Sequence, residues 1–303
     1  GKRETVIDSR GVTSYAYDQY GHLIRIDLPD GVWIAYAYDV HGRRATVSTT
    51  NGSTSYTYDI AGKLSTITDP SGRVTTYQYG PDGNLASTVS PNGVSADFNT
   101  NGLGRLSEIA IASPTMTILS TYQYSYNDAG LVQDIADASG RQRQFLYDAA
   151  VHLVAESVVE ADGSEGLTEY TLDAAGNRSS VSHDTTINTY TYDLNDRVLS
   201  DGVYAYSYDD NGNRLSKSDG SSTWLYSYDF ENRLVSVDAP DGVVKRFEYD
   251  HDGNRVAESR GGQTLRFIID TTEPHAQVLE ERDDAGALIA RYVYGHSLVS
   301  RNA

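Results

Sequence analysis

Cysteine is absent from this chain of 303 residues, so neither disulfides nor thiolate metal sites hold it together, and cysteine usage says nothing of its redox compartment. Long apolar runs are missing too. Nothing approaches the ~20 residues that would span a bilayer, and the start, GKRETVIDSRG, lacks the apolar core of a signal peptide. The chain reads as an interior piece of something longer, with no membrane insertion by this segment. Positive charge is scarce, with 24 Lys and Arg against 42 Asp and Glu, a net charge of −18. Phosphate binding needs clustered Lys and Arg to displace counterions, which excludes nucleic acid as a partner and an anionic membrane surface with it. The negative charge reads as a device that keeps the protein soluble and stops exposed strands from pairing with other chains.

Helical patterning is also lacking, since no segment sustains a 3.6-residue apolar period. What is plentiful is Tyr, with 24 against 5 Phe and 1 Met, and Gly, with 27. That mixture favours strands and tight turns and makes an all-β chain the expectation.

One phrase organises the chain: Tyr-x-Tyr-Asp-x-x-Gly. It reads YAYDQYGHL from Tyr15, YAYDVHGRR from Tyr36, YTYDIAGKL from Tyr56, YSYNDAGLV from Tyr124, YSYDDNGNRL from Tyr206, YSYDFENRL from Tyr226 and FEYDHDGNRV from Phe247. Weaker copies begin at Tyr77, Asp97, Phe145, Tyr170, Tyr190, Phe267 and Tyr292. Together these are about fourteen units with a period of roughly 20 residues, within the range of repeat architectures, and they fill residues 1–303 as one tandem array.

Each unit resolves into two strands and two turns. In Tyr-x-Tyr a period of two puts both rings on one face, while the following Asp points the other way and starts a turn. Asp bonds its own downstream backbone, and Gly supplies the positive φ of a three- to five-residue hairpin with a bulge. A return strand such as KLSTIT or RLVSV follows, then a closing cluster such as LPDG at Leu28 or APDG at Ala239. The motif residues singled out for a structural role are Tyr17, Asp18 and Gly21; Tyr38, Asp39 and Gly42; Tyr58, Asp59 and Gly62; Tyr126 and Gly130; and Tyr147 and Asp148. Further along they are Tyr192 and Asp193; Tyr208, Asp209 and Gly212; Tyr228 and Asp229; and Tyr249, Asp250 and Gly253. The spacing between motifs lengthens near 109–121 and 158–167, which are expected to be longer hairpins or loops.

Residues with catalytic or metal-binding chemistry form no recognisable pattern. The histidines, His22, His41, His152, His183, His251, His275 and His296, are scattered without ligand spacing and read as solvated turn residues. Asp209, Asp210, Asn211 and Asn213, like Asp250, Asp252 and Asn254, bunch oxygen atoms as a calcium loop does. They lack the glutamate at loop position twelve and the flanking helices, so turn chemistry explains them better. There is no G-x-S-x-G, P-loop or dinucleotide fingerprint. No catalytic residue, metal ligand or cofactor is assigned, and the chain is expected not to be an enzyme.

The segments WLYSYDFENRLVSV and RFEYDHDGNRVAE resemble YD repeats of Rhs proteins, wall-associated polymorphic toxins, shell components of insecticidal toxin complexes and teneurins. The resemblance covers essentially the whole chain. It implies a β-strip that spirals into a hollow shell, often enclosing a toxic C-terminal domain until delivery, in a secreted or surface-exposed bacterial protein. The partners it implies are the remaining repeats of the parent and the enclosed toxin domain. The family's closing region has no counterpart before or within RYVYGHSLVSRNA, so more repeats are expected beyond it.

About 28 strands at ~4.8 Å spacing, each ~20 Å long, make a strip of ~2,600 Å². Lining a cavity for a toxin of roughly 120 residues takes ~9,000 Å², so this piece is expected to serve as part of a larger wall. Two alternatives stand beside this reading. In fold, paired units would make a seven-bladed propeller, although no two-unit super-period is visible. In function, the tyrosines would form a sugar-stacking surface of an adhesion module that binds carbohydrate or a receptor, in place of the scaffold's own packing.

Overall fold

The computed structural model describes residues 1–302, and the period-two pattern is realised there as strands, with no helix among the described residues. Eighteen strands between Thr5 and Thr189 make one sheet, and twelve between Thr191 and Asn302 make a second. Strands pair antiparallel with their neighbours along the chain. The strand Trp33–Tyr38 meets Leu23–Asp27 through Ala35 opposite Arg25, and Arg44–Thr49 through Tyr36 opposite Val47. The fold is thus the all-β hairpin array that the repeat predicts. The propeller alternative is corrected: four-stranded blades require the ladder to break after every second hairpin, whereas the sheets here run to 18 and 12 strands.

The register shifts by one residue just ahead of the second tyrosine, between Ala16 and Tyr17, Ala37 and Tyr38, Thr57 and Tyr58, Leu146 and Tyr147, and Ser207 and Tyr208. A bulge there bends the strand and adds twist. It leaves the following residue, Asp in each of these copies, free to begin a turn. Of the two stretches with lengthened spacing, residues 109–121 lie on the strands Leu106–Ala112 and Ile118–Tyr126 and the turn between them. Residues 158–167 lie on Leu153–Val159, Glu165–Leu172 and their turn.

The chain divides into two compact units. Unit 1 comprises residues 1–77, 229–238 and those from Gly242 onward; unit 2 comprises residues 78–228 and 239–241. In unit 1 the first strands of the chain lie against the last. Ile26, Ile34, Tyr36 and Val47 pack with Ile268 and Leu279 in one buried cluster, and Ile34 is fully enclosed. Burying an Ile side chain in this way contributes about 1.5–3 kcal/mol. Unit 2 has no such seam: among its described residues only Ala112 is buried. Its tyrosines are half-buried, apart from the exposed Tyr122.

Candidate functional site

The sequence requires each hairpin tip to satisfy several backbone amides at once, and the Asp carboxylate does this. At Asp39 the main-chain amide donates to the Arg43 carbonyl at 2.8 Å, and the Asp39 carbonyl accepts from the Gly42 amide at 3.0 Å. The side chain closes the loop from within: Oδ1 accepts from the amides of His41 and Arg43 at 2.9 Å each, and Oδ2 accepts from Arg43 Nε at 2.7 Å. Asp18, Asp59, Asp148, Asp193, Asp209, Asp229 and Asp250 repeat the arrangement. Gly42 sits at φ 76°, where a Cβ is strained. Gly21, Gly62, Gly130, Gly212 and Gly253 hold the same left-handed geometry. Copies lacking the Gly keep the turn regardless, with Val151, Asp196 and Asn232 at φ 71°, 59° and 60°. Asp209 and Asp250, the centres of the two oxygen-rich clusters, each accept at Oδ2 from a side-chain amide, Asn213 and Asn254, at 2.9 Å.

These bonds move the carboxylates' titration. Partial desolvation would raise Asp39, but the bonds from Arg43 and from the Arg43 and His41 amides outweigh it and hold the group at about 2. Asp209 is lowered chiefly by Asn213, Asp148 by the His152 amide, and Asp193 and Asp229 by the Arg197 and Arg233 amides. A carboxylate whose folded pKa lies below its unfolded value adds stability above the unfolded pKa, and that stability is lost as pH falls through the folded one. The melting temperature is therefore expected to fall between about pH 4 and pH 2, by the sum of many small steps, and Asp39→Asn should blunt one of them. A melting temperature that holds steady down to pH 2 would mean that the turns do not depend on ionised Asp.

The second tyrosine of the motif links one unit to the one before it. Tyr58 Oη donates to the Arg44 carbonyl at 2.8 Å, Tyr38 to Leu23 at 2.8 Å, Tyr147 to Val132 at 2.9 Å and Tyr249 to Leu234 at 2.7 Å. Tyr126, Tyr192 and Tyr208 donate to the carbonyls of Leu106, Arg178 and Val198, and Tyr228 meets the Arg214 backbone. The residue just past the turn glycine position then stacks on the same ring: Arg43 lies 4.4 Å from the Tyr58 centroid, Arg233 5.1 Å from Tyr249, and His22 4.7 Å from Tyr38. Tyr17, at the first copy, is covered instead by Lys2 Nζ at 5.0 Å. Tyr58→Phe removes one donor and leaves the Arg44 carbonyl short of a partner, which should cost about 1–2 kcal/mol. Urea denaturation reads this directly, and an unchanged midpoint would mean that water replaces the hydroxyl.

Unit 1 adds a polar seam that the repeat does not encode. Asp270 is fully enclosed; it accepts from Tyr36 Oη at 2.9 Å and lies 2.9 Å from Arg44 Nη1, and Arg44 also meets Glu273 at 2.8 Å. Burial first, and Asp270 second, push the Tyr36 phenol far upward, while burial raises Tyr56 to about 12. One strand further, Glu280 accepts from Thr49 Oγ1, from Asn51 Nδ2 at 2.9 Å and from Arg282 Nε at 2.8 Å. His251 departs from the expectation of a solvated turn histidine. Its Nε2 is 3.0 Å from both Tyr15 Oη and Arg3 Nη1 and 3.2 Å from Asp252, beside a cavity of about 320 Å³.

What these groups do chemically is cross-link. The turn Asp, the tyrosine hydroxyl and the stacked cation join each unit to itself or to the next, and the seam joins distant strands of unit 1. Residues 17–54 and 58–95 match the RHS Repeat family, and residues 151–300 match the Teneurin YD-shell family. Among solved structures, the Photorhabdus luminescens Tc holotoxin pore carrying a TccC3 mutation aligns with 97% of the chain at 16% identity and a TM-score of 0.57, over 20% of its own length. The TcdB2-TccC3 crystal structure aligns with 94% of the chain at 17% identity and a TM-score of 0.49, again over 20% of its length. The chain thus spans about a fifth of each of these two solved chains, and identity this low shows likeness of fold alone. No curated protein sequence matches it significantly.

Proposed function

The chain belongs to the YD-repeat, or Rhs-repeat, family, and on that premise we propose that it is a length of shell wall whose parent protein encloses a C-terminal toxin domain for delivery outside the cell. The observation that carries this reading is the inter-unit latch. From Tyr38 to Tyr249, motif hydroxyls are spent on the carbonyl of the preceding unit, so the recurring polar chemistry is directed at the wall itself. In this reading the motif residues are structural and the segment alone is inert. Its partners are further repeats of the same parent and the enclosed domain, and the parent is secreted or displayed at a bacterial surface.

The test is limited proteolysis of the intact parent beside a parent from which several repeats between Tyr36 and Tyr228 are deleted. The C-terminal domain should resist protease while the wall is complete and become digestible once it is shortened. If the parent encloses no domain, or the purified segment by itself kills cells or turns over a substrate, the wall reading is wrong. Specific carbohydrate or receptor binding by the segment would then favour an adhesion module.

A further inference from the structure

Unit 2 presents one face of its strands without a second layer. In unit 1 the ring at the first tyrosine position, Tyr36, is 5% exposed beneath the last strands, whereas none of the corresponding rings in unit 2 is buried. The face is continuous from strand to strand: Tyr206 lies opposite Lys217, and Lys217 opposite Trp224. Elsewhere Tyr124 lies opposite Ile135, and Ile135 opposite Arg143.

Charge is sorted in the same unit. Unit 2 holds 21 Asp and Glu against 7 Lys and Arg, a net charge of −14, while unit 1 holds 21 against 17, a net charge of −4. Yet six of those seven cations stand over rings of the uncovered face. Lys217 is 3.6 Å from the Tyr204 centroid and 5.3 Å from Trp224, Arg178 is 4.6 Å from Tyr170, and Arg214 is 4.9 Å from Tyr206. The seventh, Arg141, is held by Glu160 at 2.9 Å. Carboxylates are placed elsewhere or already engaged. Asp148, Asp173 and Asp209 each have an oxygen on turn amides, Asp193 also pairs with Arg197 at 2.6 Å, and Asp137, at a strand end, bonds Ser139, so the cations of the face left without a carboxylate partner include Arg178, Arg214 and Lys217. Glu156, within a strand on the cationic face, is paired with Arg143 at 2.6 Å. A strongly acidic unit thus turns a cationic, aromatic surface outward from its strands.

We propose that this face docks an acidic, extended stretch of polypeptide. A guanidinium held over a ring keeps N–H donors free to fork a carboxylate, while the ring covers apolar parts of the same side chain. The rings of Tyr170, Tyr204, Tyr206 and Trp224 carry cations on their faces, which opposes stacking of a neutral sugar there. A basic polypeptide would meet those cations head-on. The acidic turns at the rim do not cancel the attraction, because at physiological ionic strength fields decay within about 8 Å. The inference goes beyond the wall reading and does not rest on enclosure, so either can fail without the other.

The chain has two tryptophans, Trp33 in unit 1 and Trp224 on this face, so Trp33→Phe makes Trp224 the sole reporter. Titration of that variant with poly-L-glutamate should change Trp224 fluorescence saturably and lose most of the response near 1 M salt, where the screening length is about 3 Å. Adding R214Q and K217Q together should weaken the affinity at least tenfold, with circular dichroism checking that the strands persist. K217Q alone, which leaves every tyrosine latch intact, should give a smaller loss and serves if the double change unfolds. No response to poly-L-glutamate overturns the proposal, as does tighter binding of poly-L-lysine, of a neutral oligosaccharide or of a single-stranded oligonucleotide. Self-association that consumes the face, read by sedimentation, also overturns it in favour of a second copy of the chain.

Discussion

Replacing Arg44 with methionine is expected to lower the unfolding free energy by about 3–5 kcal/mol, because it strips the cation from a buried pair and leaves a carboxylate that cannot reach water. Asp270 has no exposure at all, and Arg44 Nη1 lies 2.9 Å from it. The tyrosine that donates to Asp270, Tyr36, supplies one hydrogen bond and no charge. Methionine matches much of the arginine stem in length, so lost packing explains little of the effect and the unpaired charge explains most of it. The discriminating experiment is a double-mutant cycle with Asp270→Leu. Removing both charges should recover much of the loss, since an apolar pair of similar volume is often neutral beside a buried ion pair. If the double variant is as unstable as the two single losses added together, the groups act independently and the seam is not held by this pair.

The local part of this architecture was legible because each signal lies within one unit. Asp at the turn start and Gly three residues on are backbone requirements of the tip, and the structure puts Asp39 Oδ1 on the amides of His41 and Arg43 as that chemistry demands. Even the imperfect copies were readable, since strand pairing on both sides forces Asn232 or Val151 into the left-handed region that Gly enters freely. The latch was harder to read. Alternation places Tyr58 on a face, but its acceptor is a main-chain carbonyl, and no residue type at position 44 advertises that. The seam was not legible at all. Asp270 occupies the aspartate position of a weak copy, FIID, and reads as another turn carboxylate. Its partners lie 226 and 234 residues away by number, at Arg44 and Tyr36, and only tertiary packing brings them together. His251 was misread for the same reason: it sits in a turn by sequence, and the first strands of the chain cover it.

Ile34→Ala should cost about 2–5 kcal/mol, the range for emptying a well-packed site, whereas Leu225→Ala on a strand of unit 2 should change stability by less than about 0.5 kcal/mol. Ile34 has no exposure and packs with Ile26, Val47, Ile268 and Leu279, strands from opposite ends of the sequence; Leu225 is 52% exposed. Alternation puts Leu225 on the face opposite Tyr226, so its change reads an exposed position, and it is the exchange rates of whole strands that test whether the repeats share stability. The buried cluster concentrates the strip's stability where its first strands meet its last, and the middle units are held chiefly by hydrogen bonds and ring stacking to their neighbours. Hydrogen exchange should follow the same division, slowest at Trp33–Tyr38 and Gln263–Asp270 and faster at Thr223–Tyr228. Equal protection in the three strands would show that the repeats share stability evenly and that the seam adds little to the wall.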